Sequence, residues 1–365
     1  MAQSKADKLT PIHSNFVRCA TMVDIITAAD TTGLSALLDQ NSFSISQTDS
    51  SKPVVGRFAP TPSGRMHLGN IFSLLLAWLG ARSANGRIVL RIEDLDPRSS
   101  DIHAADLLLA DLEWLGLTWD EGPIYQSDHL ERYQDSVQYL QKEGYTYPCF
   151  CTRAELHAAT APHASDGTYI YQGTCRNLST EEIARKLKTR SAATRLRVPD
   201  ENSSAARISF DDLVAGIRAE NLARDCGDFL VQRSDGVFAY QLAVVVDDGD
   251  EGITQVVRGR DLLGSVARQM YLQELLGFSH PIYAHVPLLV DPDGRRLSKR
   301  NRDLDIGALR DQHIRPEQII GALAHLAHLA PAGEEVTPND LIPRFSWETI
   351  AKLDETITVD TSLFE

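Results

Sequence analysis

Residues 57–70 read RFAPTPSGRMHLGN. Proline and glycine punctuate ordinary surface loops, and this stretch has two of each. Its flanks make it more specific. VVGRF before it reads as a short strand. After it, Leu75, Trp78, Leu79 and Arg82 recur at helical spacing, which predicts a helix near Gly69 to Arg82. A glycine-bearing turn from strand into helix can lay backbone N–H groups and the positive helix end against a phosphate. Gly69 would allow close approach there, and His67 could donate to a phosphate oxygen. No GKS or GKT follows, so the turn is not a P-loop.

The pattern continues outward in both strand and helix. NGRIVLRIEDLDP predicts a turn at Asn85-Gly86, a strand over Arg87 to Ile92 and a stop at Pro97. SSDIHAADLLLADLEWLGL reads as a helix capped by Ser100 or Asp101, and LERYQDSVQYLQKEG as another closing at Gly144. Strand, helix, strand, helix, helix is the order of an α/β layer. From Cys149 to about Asn177 the composition shifts to Cys, Thr, Gly and Tyr, a small excursion. DFLVQRSDGVFAYQLAVVVDD is rich in β-formers around a Ser-Asp-Gly turn and predicts buried strands. DLLGSVARQMYLQELLG predicts a helix, and IYAHVPLLVDPDGRRLSKRN a strand leading to an Asp-Gly turn. IRPEQIIGALAHLAHLA and the tail beyond it are expected to be helical and outside the sheet pattern.

Composition narrows the class. With 365 residues, 43% hydrophobic and 24% charged, the chain can bury a sizeable core. No apolar run reaches the roughly 18 residues that a membrane span needs, and no secretory h-region opens the sequence. Five cysteines, three of them close together, do not suggest a disulfide framework, so a cytoplasmic protein is expected. A net charge of -14 argues against sequence-blind nucleic-acid binding but leaves room for a local basic patch.

Two further groups could carry chemistry. Cys149, Cys151 and Cys175 offer three soft ligands for a structural zinc, with His157, His163, Tyr169 or Tyr171 open as the fourth. Cys19 and Cys226 are expected to be free, Cys226 in the core. DGRRLSKRN holds Ser298, Lys299, Arg300 and Arg302. Taken alone it is a solvated basic loop, yet such cations suit charge developing on a triphosphate. Lys299 would supply a compact point charge on a flexible stem.

HLGN resembles the HIGH motif, and RRLSKRN the KMSKS motif, of class I aminoacyl-tRNA synthetases. RFAPTPSGRMHLGN, RIEDLDP, YQLAVVVDD and VVRGRDLL are similar to the glutamyl branch, and most similar to its short members, the glutamyl-queuosine tRNA(Asp) synthetases. The resemblance runs from about Val54 to Asn301, in order. It implies an α/β, Rossmann-like catalytic domain with a small zinc-binding insertion and a short helical C-terminal region. The expected divisions are a 1–52 extension, catalytic halves over 53–147 and 216–301, an inserted acceptor-like unit over 148–215, and a 302–365 tail.

The resemblance also implies the sites. Glutamate binding falls on Arg57, Phe58, Ala59, Pro60, Thr61, Glu93, Tyr240 and Arg258. Glu93 would meet the ammonium and Arg258 the side-chain carboxylate, which arginine can grip with two parallel hydrogen bonds. ATP binding falls on His67, Gly69, Asn70 and Lys299, with His67 and Lys299 as catalytic groups. Zinc falls on Cys149, Cys151, Tyr171 and Cys175. Asp94 and Asp96 are expected to brace the turn that follows them.

The implied activity is ligation: ATP, with Mg²⁺, activates L-glutamate, which passes to queuosine in the anticodon loop of tRNA(Asp). A monomer without membrane contact is expected. Two alternatives stand beside it, a truncated glutamyl-tRNA synthetase charging a tRNA 3′ end and a non-catalytic zinc-containing RNA-binding protein. Only about 64 residues follow Asn301, few for the large helical anticodon-binding region of the first. Val244 stands where ordinary glutamyl-tRNA synthetases usually carry an asparagine, which predicts a lost hydrogen bond and weaker glutamate binding. Intact His67, Glu93, Arg258 and Lys299 argue against a mere binder.

Overall fold

A computed structural model describes residues 53–96, 102–152, 154–155, 170–297 and 304–364. The 1–52 extension, Cys19, Pro97, Ser100, Asp101, His157, His163, Tyr169 and the basic stretch Ser298 to Arg302 lie outside the described residues.

Strand β1 (Val55–Phe58) leads through the proline-glycine loop into helix α1 (Leu68–Ser83), and then into β2 (Arg87–Ile92). Helix α2 (Ile102–Trp114) follows, then β3 (Glu121–Tyr125), giving a parallel sheet in the order β1-β2-β3. Buried on nearly every side, α1 keeps Leu68, Ile71, Leu75, Leu76 and Leu79 wholly out of solvent. Each such side chain contributes roughly 1.5–3 kcal/mol relative to exposure. Gly80 sits mid-helix, where glycine costs about 1 kcal/mol against alanine. A Cβ there would lie 2.5 Å from the Trp347 ring, so the position trades propensity for close packing.

Helix α3 (Leu130–Lys142) runs into β4 (Thr146–Cys149), helix α4 (Thr180–Leu187) and β5 (Ala193–Leu196). The hairpin of β6 (Arg207–Asp212) and β7 (Gly216–Asn221) precedes β8 (Phe229–Gln232). Then come α5 (Tyr240–Asp250), β9 (Gln255–Gly259), α6 (Val266–Leu276) and β10 (Ile282–Val286). A second sheet runs β7-β6-β10-β9, parallel except at the hairpin. It meets the first along β1 and β9, where Thr254 N–H donates to the Val55 carbonyl at 3.0 Å. The site lies at this seam.

Pairing crosses the expected division near residue 215. β6 belongs to the β9–β10 sheet, whereas β8 pairs antiparallel with β5, and β5 with β4. Tyr240 to Asp250 forms a helix where strands were expected. Leu242 to Val246 are all buried, so an unbroken apolar run hides the helical period.

The tail also departs from expectation. Beyond β11 (Leu288–Val290) come helices α7 (Ile306–Asp311) and α8 (Pro316–Leu326), as the sequence predicts. Strand β12 (Thr356–Thr358) then pairs in parallel with β11, so the tail joins a sheet. A strand of three residues is too short to show an alternating pattern in the sequence. No helix among the described residues is long and apolar enough to cross a membrane.

Candidate active site

The loop after β1 and the ends of β2, β9 and β11 surround a cavity of about 440 Å³, within the usual range for a small-molecule site. It is lined by Arg57, Ala59, Pro60, Thr61, Glu93, Tyr240 and Arg258 together with His67, Gly69 and Asn70. Two motifs 200 residues apart thus share one chamber: Arg57 Nη1 donates to the Val257 carbonyl at 3.1 Å, across the seam. Glu93 N–H donates to the Pro60 carbonyl at 3.0 Å, fixing the loop beside the acid.

Phe58 is the exception among the expected glutamate contacts. Successive side chains of a strand point to opposite faces, so while Arg57 reaches the cavity, Phe58 is wholly buried in the first core. Val244 also lies elsewhere, buried in the second core and not lining the cavity. The expected loss of a glutamate hydrogen bond at that position therefore has no support in the geometry. Asp94 accepts from Ser127 N–H and Oγ–H at 2.9 and 2.6 Å, and Asp96 pairs with Arg233 at 2.9 Å. Both reach across to chain segments far away in sequence, and the turn that follows them lies outside the described residues.

His67 forms the N-cap of α1, and its backbone N–H donates to Asn70 Oδ1 at 3.2 Å. A Cβ on Gly69 would sit 3.1 Å from the imidazole, so glycine lets the ring fold over the helix end. The segment entering α7 closes the other side, where Ile306 N–H donates to the Met66 carbonyl at 3.0 Å. Arg65 and Arg310 both hold Asp111, at 3.3 and 3.2 Å. The loop is therefore fastened from three directions before any ligand arrives.

Sequence reasoning missed the charge network beneath the pocket. Arg91 is completely buried and faces Asp248 at 2.8 Å, Glu251 at 2.6 Å, Asp247 at 3.5 Å and Glu93 at 3.6 Å. Burial disfavours its charge, but the Asp248, Glu251, Asp247 and Glu93 carboxylates outweigh this and hold its pKa well above the usual value. The helical turn of α5 brings Asp247, Asp248 and Glu251 to one guanidinium, a grouping invisible while that stretch reads as strand. Asp248 also lies 3.5 Å from Arg57 Nε. Burial pushes Glu93 up to about 7, against the pull of Arg91 and Arg57, and Glu251 to about 8, against Arg91. Glu93 Oε1 is buried without a hydrogen-bond donor. Arg91 Nη2 stands 3.6 Å from that oxygen, an ion-pair distance that leaves its hydrogen-bonding capacity unfilled and able to take an N–H donor. With Arg57 and Arg258 on the same walls, the chamber suits a molecule bearing one ammonium and more than one carboxylate.

The excursion gathers a second constellation. Cys149, Cys151 and Cys175 place their sulfurs within 4.8 Å of one another, with Cys151 and Cys175 3.7 Å apart. Tyr171 Oη is 3.6 Å from Cys149 Sγ and 3.5 Å from Cys151 Sγ, and accepts from Cys175 N–H at 2.7 Å. Zn–S and Zn–O bonds of about 2.3 and 2.0 Å in a tetrahedron imply S···S near 3.8 Å and S···O near 3.5 Å. The four residues fit such an ion. Burial works against the Cys149 thiolate, but Arg195, with Nε 3.2 Å from the sulfur, lowers its pKa. Cys226 is buried in the second core, as expected.

A nucleotide-sized seam between parallel sheets, a capped helix end and a charged amino-acid pocket define a class I tRNA synthetase catalytic domain. The family pattern described as tRNA synthetases class I (E and Q), catalytic domain, matches residues 53–360. A glutamyl-Q tRNA(Asp) synthetase from Symbiobacterium thermophilum is 46% identical over 318 residues, covering 84% of this chain and 96% of the relative. One from Nitratidesulfovibrio vulgaris is 47% identical over 305 residues, 81% of this chain and 93% of the relative. The chain belongs to the glutamyl-Q tRNA(Asp) synthetase family. Among solved structures, a glutamate tRNA ligase from Elizabethkingia meningosepticum, crystallised with its amino acid, is similar at TM-score 0.70 and 27% identity. That alignment covers 84% of this chain and 67% of the other. The glutamate-tRNA synthetase of Elizabethkingia anophelis gives TM-score 0.72 at 27% identity, covering 86% and 69%.

Proposed function

We propose that the protein activates L-glutamate with ATP and transfers it to the queuosine base at the wobble position of tRNA(Asp). The observation that carries this reading is the single chamber that joins Arg57, Glu93 and Arg258 to His67, Gly69 and Asn70. In the first step the glutamate α-carboxylate attacks the α-phosphorus of ATP, the α–β phosphoanhydride bond breaks, and pyrophosphate leaves; Mg²⁺ carried by the triphosphate would offset the charge of that leaving group. A queuosine hydroxyl then attacks the glutamyl-adenylate carbonyl, losing its proton as AMP departs.

Each residue has a physical task. Glu93 takes the ammonium, Arg258 the side-chain carboxylate, and Arg57 with the Ala59–Thr61 backbone orients the rest. Phe58 acts only by anchoring this segment in the core. His67 and the α1 N-terminus meet the phosphates, with Gly69 and Asn70 shaping the approach. Lys299, outside the described residues, is assigned to the same phosphates by the resemblance of RRLSKRN to the KMSKS motif. Catalysis is then positioning and electrostatics, with no protein nucleophile. Zinc on Cys149, Cys151, Cys175 and Tyr171 would tie the excursion together as a structural ion.

The decisive assay supplies labelled glutamate, ATP and tRNA(Asp) with or without queuosine, and localises the label. Label on the modified base, and none on tRNA lacking it, is the expected result. Label at the 3′ end would make the protein a charging enzyme. Activation should also be visible without tRNA, as glutamate-dependent exchange of pyrophosphate into ATP.

The raised Glu93 pKa sets a pH dependence. Only the ionised carboxylate attracts the ammonium, and in the free protein ionisation is half complete at about 7. Glutamate KM should therefore rise as pH falls below 7, by about tenfold per unit at most, with ATP KM nearly flat. Glu93→Gln should remove that dependence. A flat glutamate KM between pH 5.5 and 8 in the unaltered enzyme would contradict the assignment.

A further inference from the structure

Arg258 does not stand alone on its strand. Its Nε–H donates to His285 Nε2 at 3.0 Å, Nη1 donates to Tyr240 Oη at 3.3 Å and Nη2 to the Leu262 carbonyl at 3.3 Å. Behind it, His285 Nδ1 lies 2.6 Å from Asp212 Oδ2, and both side chains are wholly buried. Asp212 Oδ1 accepts from Val214 N–H at 3.0 Å, Ala215 N–H at 2.8 Å and His285 N–H at 3.1 Å. β6 and β10 bring these residues together across a parallel pair, Tyr283 opposite Asp212.

We infer that His285, oriented by Asp212, is a positioning residue for Arg258, turning the guanidinium so that its Nη edge meets the amino acid's side-chain carboxylate. This rests on the glutamate reading above. Arg258 has five N–H hydrogens. Three are taken by His285, Tyr240 and Leu262, which leaves one on each Nη, the pair an end-on carboxylate accepts. For His285 to accept, its proton must sit on Nδ1, and a carboxylate at 2.6 Å holds it there. The ring must also be neutral. Burial pushes its pKa down to about 4, helped by the Arg258 charge, even though Asp212 pulls the other way. For Asp212 burial acts upward, but the His285 hydrogen bond and the backbone N–H groups bring it down to about 2.

Asp212→Asn separates positioning from bulk stability. All three backbone donors converge on Oδ1, so an amide there keeps its carbonyl at that corner and turns its NH₂ to His285 Nδ1. The ring must then carry its proton on Nε2, donor facing donor with Arg258 Nε–H. Pyrophosphate exchange is measured on the full chain with glutamate and ATP varied separately. We expect D212N to raise glutamate KM roughly ten- to hundredfold, while ATP KM stays within about twofold. His285→Gln, whose Oε1 accepts without a tautomer, should stay nearer the unaltered enzyme than His285→Ala. Adding D212N to H285Q should cause no further rise. An unchanged glutamate KM in D212N overturns the inference, as does an equal rise for ATP or a full further loss in the H285Q background. If D212N does not fold, equal glutamate KM values for H285A and H285Q overturn it, and a rise confined to H285A supports it. Exchange by the unaltered enzyme that does not depend on glutamate would overturn the glutamate reading and this inference together.

Discussion

Replacing Arg258 by alanine should lower kcat/KM for glutamate in pyrophosphate exchange by about a thousandfold, leaving ATP KM within about twofold. Truncating one member of a buried charge pair costs about 2–5 kcal/mol, because the surviving partner is left desolvated and unpaired. Here the stranded groups are the substrate carboxylate and the lone pair of His285, 3.0 Å from Arg258 Nε. Lysine should recover little of the loss. It offers a point charge without the planar fork, and its single nitrogen cannot reach the separate positions that Arg258 Nε and the two Nη groups occupy. The outcome that would sink the assignment is an R258A enzyme whose glutamate KM is unchanged while its ATP KM rises. That pattern would move Arg258 to the nucleotide.

Changing Cys175 to serine should reduce bound zinc from about one per chain to near zero after dialysis. The excursion should then become sensitive to protease near β4, α4 and β5. The constellation is small, and its packed neighbours Tyr147, Phe150 and Tyr171 form a separate minor core, so little else would hold it closed. Metal analysis by mass spectrometry, with Cys149→Ser as a second variant, reads this directly. Zinc retained at full stoichiometry in both would show that other residues bind it. Retained exchange activity in a metal-free, folded chain would place the ion's role in structure and tRNA docking, away from activation.

Much of the catalytic half was legible because local rules and tertiary packing agree there. Asn85-Gly86 turns the chain, Arg87 to Ile92 runs on as an almost continuously buried strand, and a glycine at 69 admits the imidazole to the helix end. The three cysteines also came together, since Cys149 ends one strand, Cys151 follows it by two residues, and Cys175 lies on a short loop with Tyr171 beside the sulfurs. The Phe58 side chain is missing from the cavity lining for a reason of strand geometry, since it packs into the first core while its neighbour Arg57 lines the chamber. Tyr240 to Asp250 failed as strand because every position from Leu242 to Val246 is apolar and buried. With no polar face, a helix and a strand cast the same pattern.

By itself, then, the order of residues determined the α/β alternation, the strand-to-helix turn at His67 and the identities of the charged groups in the pocket. Those depend on side-chain chemistry and on contacts within a few residues. Tertiary structure alone decided how the charges are held. Arg91 collects acids from α5, and Arg258 borrows its orientation from His285 and Asp212 on two other strands. A hydrogen bond spanning 73 residues leaves no local period or spacing to read. It exists only once the parallel strands bring its ends within reach.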